Sequence, residues 1–169
     1  MQAILIDANV ARSCADPARH ETSEACLRLT HVLAERGCRL EVALTPALED
    51  EWLRHASRAF ISWWASMEAR RRVRRERDRR LADYRRMIEA IPQAGIRALL
   101  EKDAHIVEMA ALKHYPVISQ DDAQARHVAK LAANYSLLGD IQWCNPVTSS
   151  AWEDWLRSGC TDTTAYKLT

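Results

Sequence analysis

Glycine is scarce in this 169-residue chain: four residues, at 37, 95, 139 and 159, none beside another. Walker and Rossmann phosphate loops need clustered glycines for tight turns and close backbone approach, so both fingerprints are excluded. Long apolar runs are also missing. The longest uncharged stretches, such as those beginning at Ala59 and Ala132, fall far short of the roughly 20 apolar residues of a bilayer span. Asp7 interrupts the N-terminal apolar run before it reaches the length of a signal peptide. The chain therefore reads as cytoplasmic, with no membrane partner. Its five cysteines, at 14, 26, 38, 144 and 160, are odd in number and contain no C-x-x-C pair, which excludes a disulfide framework or a zinc ribbon and leaves buried or incidental thiols.

What is present fits one globular unit. Hydrophobic residues at 48% and charged residues at 28% match a folded domain rather than a disordered or fibrous chain. The expected organisation is a single domain over 1–160, with an Arg-rich helical insertion at about 56–90 and a C-terminal tail at 161–169. Net charge is +1, but it is unevenly placed: Arg54 to Arg86 holds twelve arginines, no lysine and four acids, a local +8 that leaves about −7 for the rest. A basic segment on an acidic body is a nucleic-acid signal.

Residues Ala3–Ile6 form a short apolar run ending in Asp7-Ala8-Asn9, which reads as a buried parallel strand stopping at a polar tip. Apolar positions from Thr22 to Arg36 recur at three and four, a helix closed by Gly37. A second strand is expected over Leu40–Leu44. Thr45-Pro46 then starts a helix, a capping hydroxyl followed by a first-turn proline, and it runs to about His55. Residues 56–90 continue in helical vocabulary, though Glu68 to Arg80 is polar all round and is expected to project or to bind something. Another helix starts near Lys102. Pro116–Ser119 is a third strand ending at Asp121-Asp122, Val128–Ala133 a helix, Gly139–Cys144 a fourth strand, and Ser149–Arg157 a last helix with Ser149 or Ser150 as cap. Alternating strands and helices imply an α/β fold, a three-layer α/β/α sandwich on a four- to five-stranded parallel sheet. In such sheets ligands bind beyond the carboxyl ends of the strands.

Acids gather at that edge. Asp7 and Asn9 follow the first strand, Thr45 the second, and Asp121 and Asp122 the third. Helical spacing turns Glu51 inward on the helix from Thr45 and puts Asp103 at the start of the apolar face Ile106, Val107, Ala110, Ala111. Each acid alone has a plain explanation, as a cap or a solvated loop. Together in a cleft they repel, and burial raises their pKa values unless a cation neutralises them. An oxygen-only cup without Cys or His favours Mg2+ or Mn2+ over zinc or copper.

The run Ile4-Leu5-Ile6-Asp7-Ala8-Asn9, then Thr45-Pro46 with Glu51 six residues on, then Asp103 opening a helix, then Val117-Ile118-Ser119-Gln120-Asp121-Asp122, resembles the PIN domain family of metal-dependent ribonucleases. That family includes the toxins of bacterial toxin–antitoxin pairs. The match spans residues 3 to about 145, with Ser119 where the family has Thr and an unusually long, basic 54–86 stretch. The resemblance implies a PIN-like fold and an endoribonuclease hydrolysing RNA phosphodiester bonds with Mg2+ or Mn2+. It implies Asp7, Glu51, Asp103 and Asp121 as the catalytic, metal-holding acids, Asp122 as an occasional ligand, and Asn9, Thr45 and Ser119 as supporting groups. It also points to an antitoxin protein and a homodimer as partners beside RNA. The alternative is a catalytically silent PIN-like module that binds RNA or joins a complex.

Arg70, Arg71, Arg72, Arg74 and Arg75 form the core of the basic run. They read either as a solvated helix face or as a phosphate-binding arm whose affinity falls with salt. Trp63 and Trp64 read as core before base-stacking groups. His105 is expected on the far side of its helix from Asp103, and His20, His31, His55, His114 and His127 show no metal spacing. Cys14 near the first strand lacks a paired base. A phosphotransfer fold, which also places Asp after its first strand, would need an Asp where Asn9 stands or a Lys between Lys130 and Lys167; neither is present.

Overall fold

The computed structural model describes residues 1–15, 18 and 21–169; His20 lies outside them. Five short strands form one parallel sheet: β1 (Ala3–Ile6), β2 (Glu41–Leu44), β3 (Val73–Arg75), β4 (Val117–Ile118) and β5 (Trp143–Cys144), in the order β3-β2-β1-β4-β5. The helices are α1 (Ala8–Ser13), α2 (Glu21–Ala34), α3 (Pro46–His55), α4 (Arg58–Ala69), α5 (Ala82–Glu89), α6 (Ala94–Lys102), α7 (Ala104–Lys113), α8 (Asp122–Ala132), α9 (Ser136–Gly139) and α10 (Trp152–Arg157). The result is a three-layer α/β/α sandwich. No helix among the described residues is long and apolar enough to cross a membrane.

The chain builds outward from β1 to β2 and β3, then returns to the other side of β1 for β4 and β5. Right-handed crossovers place α1–α4 on one face and α5–α9 on the other. The strand order therefore reverses between β1 and β4, where Leu5 pairs with Val117 and Ile6 with Ile118. The crevice beyond their carboxyl ends is the topological switch point. All of Ala3–Ile6 is buried, as a strand covered on both faces requires.

Local chemistry explains the helix starts around this crevice. Pro46 occupies the first turn of α3, and Thr45 Oγ1 accepts from Leu48 N at 3.3 Å. Ser57 caps α4 by accepting from Phe60 N at 3.1 Å. Trp52, fully buried in α3, donates Nε1 to the Ile6 carbonyl at 3.0 Å and packs edge-on against Phe60 at 4.8 Å and Trp64 at 5.4 Å. Such offset aromatic contacts add about 0.5–1.5 kcal/mol each beyond area burial. Trp63 and Trp64 thus belong to the core.

The basic segment departs from the expected helical arm. It is helical over 58–69 and 82–89, but Val73–Arg75 is the edge strand of the sheet, anchored by Val42 N to Arg72 O at 2.9 Å and Glu76 N to Leu44 O at 3.0 Å. Its missing pattern is physical: a three-residue edge strand buries little, and the hydrogen bonds that hold it come from β2, thirty residues away in sequence. Two further differences concern the C-terminal part. Residues 136–139 are helical, shortening the expected fourth strand to Trp143–Cys144, and α10 is preceded by Ala151 in a left-handed conformation rather than capped by a serine. The tail runs back along β5, with Trp143 N bonding Tyr166 O at 2.8 Å and Leu168 N bonding Ile141 O at 3.1 Å. This covers an edge that would otherwise invite pairing with another chain. All five cysteines are buried and free.

Candidate active site

Asp7 ends β1 and caps α1. Its carboxylate accepts from Asn9 N at 3.1 Å, Asn9 Nδ2 at 2.7 Å and Ser119 Oγ at 2.6 Å. Asn9 Nδ2 also reaches Ser119 Oγ at 3.0 Å, and its Oδ1 accepts from Gln120 N at 3.1 Å. Ser119 Oγ accepts from Asp121 N at 3.0 Å. Three sequence-expected residues, Asp7, Asn9 and Ser119, are thereby locked into one network across the switch point.

Glu51 and Asp103 reach the same place from opposite layers. A cavity of about 390 Å³ is lined by Asp7, Asn9, Glu51 and Asp103, together with Ala8 and four cationic or ionisable neighbours, Arg12, Arg54, His55 and Lys102. Asp103 sits at the break between α6 and α7, where its side chain makes no capping bond and is therefore left facing Lys102, 3.7 Å away. Glu51 Oε2 is buried and has no hydrogen-bond partner. The nearest basic atom is His105 Nε2 at 3.7 Å, itself unpartnered. Burial lowers the His105 pKa.

The electrostatics follow. Burial, then the charges of Asp103 and Asp7, push Glu51 up to about 7. Burial, then the Asp7 charge, push Asp103 up to about 6. Asp7 is raised mainly by burial, although its bonds from Ser119 and Asn9 pull the other way. Three carboxylates thus share one cleft with Arg12, Arg54 and Lys102 on its lining, and burial outweighs those cations in setting the carboxylate pKa values.

The remaining expected residues are placed differently. Asp121 caps α8, accepting from Gln124 N at 2.8 Å, and does not line the cavity, though its charge raises both Asp7 and Asp103. Asp122 Oδ1 accepts from Asn145 Nδ2 at 3.0 Å, and Asp122 does not line the cavity. The Thr45 hydroxyl is spent on its helix cap. Among the five arginines, Arg70 and Arg72 donate to carbonyls that close α2, at Ala34 (2.7 Å) and Leu33 (2.7 Å). Arg74 bonds Tyr115 Oη at 3.1 Å and Arg75 pairs with Glu49 at 2.6 Å and with Glu68. None of the five lines the acidic cavity; Arg70, Arg71 and Arg72 line a separate groove with Arg36 and Arg39.

Residues that the sequence reading did not bring to the site complete the picture. His105, on the helix that restarts at Ala104, stands 3.7 Å from Glu51 without lining the cavity. Arg12, Arg54 and Lys102 come from three helices, and no local spacing could have joined them.

The carboxylates here offer oxygen donors, with His55 on the lining and His105 beside Glu51, and an unpartnered buried carboxylate oxygen beside mutually repelling acids fits a hard divalent cation. Among the described residues no three His, Cys, Asp or Glu side chains are drawn together closely enough to hold an ion as they stand. No family model, curated protein or solved structure matches the chain.

Proposed function

We propose that this cavity is the active site of a Mg2+- or Mn2+-dependent endoribonuclease of PIN-like type, acting on RNA in the cytoplasm. The observation that carries the reading is the sharing of one cleft by Asp7, Glu51 and Asp103. They stand 44 and 52 residues apart in sequence, and burial raises all three pKa values, with the charges of Asp103 and Asp7 adding to Glu51 and that of Asp7 to Asp103. Such an arrangement costs stability unless a cation completes it, and perturbed acids in a cleft at a switch point are the signature of chemistry.

Asp7 and Asp103, with Asp121 behind them, would hold the ion, and Glu51 would complete the set. When bound, a divalent ion supplies Lewis acidity toward a phosphoryl oxygen and activation of water at neutral pH. The chain's own residues do the rest. Asn9 and Ser119 fix the Asp7 carboxylate so that it does not rotate away. Glu51, poised near pH 7, is suited to take a proton from the attacking water or return one to the leaving oxygen. Water attack at phosphorus with departure of the 3′ oxygen, protonated as it leaves, would give a 5′-phosphate and a 3′-hydroxyl. The toxin role, with an antitoxin or a second copy as partner, extends this same reading.

The test is incubation of the purified chain with end-labelled single-stranded RNA and manganese, beside Asp7→Asn and Asp103→Asn. Cleavage to 5′-phosphate products, abolished in both variants with RNA binding retained, is the expected outcome. Binding without cleavage by the wild type would favour a silent RNA-binding module, a reading supported by the absence of a ready-made three-ligand cage among the described residues.

A further inference from the structure

The floor of the cavity is acidic, but its rim is not. Arg12, Arg54, His55 and Lys102 line it beside the three carboxylates. Each occupies the last turn of its helix: Arg12 in α1, Arg54 and His55 in α3, Lys102 in α6. Cations are favourable at helix C-termini, which carry partial negative charge, and that accounts for their positions along the helices. It does not account for three helices delivering them to one cavity.

Among the described residues, internal pairing engages only Lys102, through Asp103. Arg54 donates Nε to the Asp50 carbonyl of its own helix at 3.1 Å and forms no ion pair among the described residues; the Arg12 side chain has no partner there. Lys102 stands 3.7 Å from Asp103 Oδ2, with 73% of its side chain exposed. Arg72, Arg74 and Arg75 show the opposite condition, since their guanidinium groups are bound to carbonyls, Tyr115 or carboxylates.

We propose that Arg12, Arg54 and Lys102, with His55 beside Arg54, form the phosphate-binding rim that carries the RNA strand across the acids. The inference rests on the ribonuclease reading of the same cavity and names its substrate contacts. A polyanion approaching three carboxylates is repelled unless the flanking phosphates meet positive charge, and guanidinium forks match phosphate oxygens in pairs. A cavity of about 390 Å³ admits a nucleotide-sized group, so the strand enters unpaired. Arg70, Arg72, Arg74 and Arg75, in contrast, hold the sheet edge and α2.

The experiment measures binding apart from cutting. Fluorescence anisotropy of a short fluorescein-labelled single-stranded RNA of mixed sequence is followed in EDTA across a series of salt concentrations. Each phosphate contact to a single strand contributes about −0.7 to the slope of log Kobs against log salt. Arg12→Gln with Arg54→Gln is expected to weaken binding and to flatten the slope by about 1.4, two contacts' worth. Arg36→Gln with Arg39→Gln, on the separate groove, is expected to leave the slope unchanged. No measurable binding by the wild type, an unchanged slope in the rim variant, or flattening only in the groove variant would overturn the rim. Manganese-dependent cleavage is scored separately. A flattened slope in a protein that cuts nothing keeps the rim and removes the hydrolase, and an unchanged slope in a protein that cuts does the reverse.

Discussion

The two charged regions of this protein handle charge in opposite ways. In the Arg-rich stretch Arg74, Arg75, Arg85 and Arg86 pair with carboxylates, and Arg70 and Arg72 donate to backbone carbonyls. Arg72 closes α2, Arg74 ties the edge strand to Tyr115, Arg75 bridges Glu49 and Glu68, and Arg85 clasps the buried Glu108 at 2.7 and 2.6 Å. In the acidic cavity like charges are pressed together, and two carboxylates rise to about 6 and about 7. Paired charge builds structure. Unpaired like charge costs stability, and a cleft that keeps it is a candidate site for chemistry. Of the four acids singled out in the sequence, Asp7, Glu51 and Asp103 line one cavity, which none of Arg70, Arg71, Arg72, Arg74 and Arg75 lines.

The sharpest break of the paired region is Arg85→Ala. It leaves Glu108 fully buried without its partner, which costs about 3–5 kcal/mol in comparable pairs. Urea denaturation is expected to show a midpoint shift of that size, and a shift below about 1 kcal/mol would mean that Glu108 is satisfied by Leu81 N alone.

In the unpaired region the same kind of substitution is expected to act with the opposite sign on stability. Asp103→Asn removes a charge from the repelling cluster, so the metal-free protein is expected to gain stability. RNA cleavage is expected to fall by about 100-fold or more, since a lost ligand forfeits several kcal/mol of charge stabilisation and each 1.4 kcal/mol is tenfold in rate. Melting in EDTA and single-turnover cleavage in manganese read the two effects on one sample.

The pH dependence extends this. Glu51 and Asp103 have folded pKa values above their unfolded ones, so the stability tied to their neutral forms is complete below about pH 4 and is lost as pH rises through about 6 and about 7. The wild type in EDTA is therefore expected to melt at lower temperature at pH 8 than at pH 5, relative to a Glu51→Gln, Asp103→Asn double variant. Manganese is expected to raise the melting temperature more at pH 8 than at pH 5. Equal manganese shifts at both pH values would separate the ion from these acids. The smallest effect belongs to Arg75→Ala, a surface link expected to change stability by at most about 1 kcal/mol despite its two partners.

Much of the frame was legible in sequence, because β1, β2 and α3 advertise themselves locally: a four-residue apolar run, a strand ending at Thr45, a first-turn proline. Inward spacing correctly turned Glu51 and Asp103 toward Asp7. What stayed hidden depends on partners remote in sequence. The edge strand Val73–Arg75 exists through β2, Asp122 is claimed by Asn145, and the cationic rim forms only where α1, α3 and α6 end together.

Crystals soaked in manganese test the central claim most directly, through the anomalous difference map. The account expects one strong peak at about 2.1 Å from carboxylate oxygens of Asp7 and Asp103, beside Glu51. A map with no peak in that cavity, while Asp7, Glu51 and Asp103 stay ordered, would contradict it.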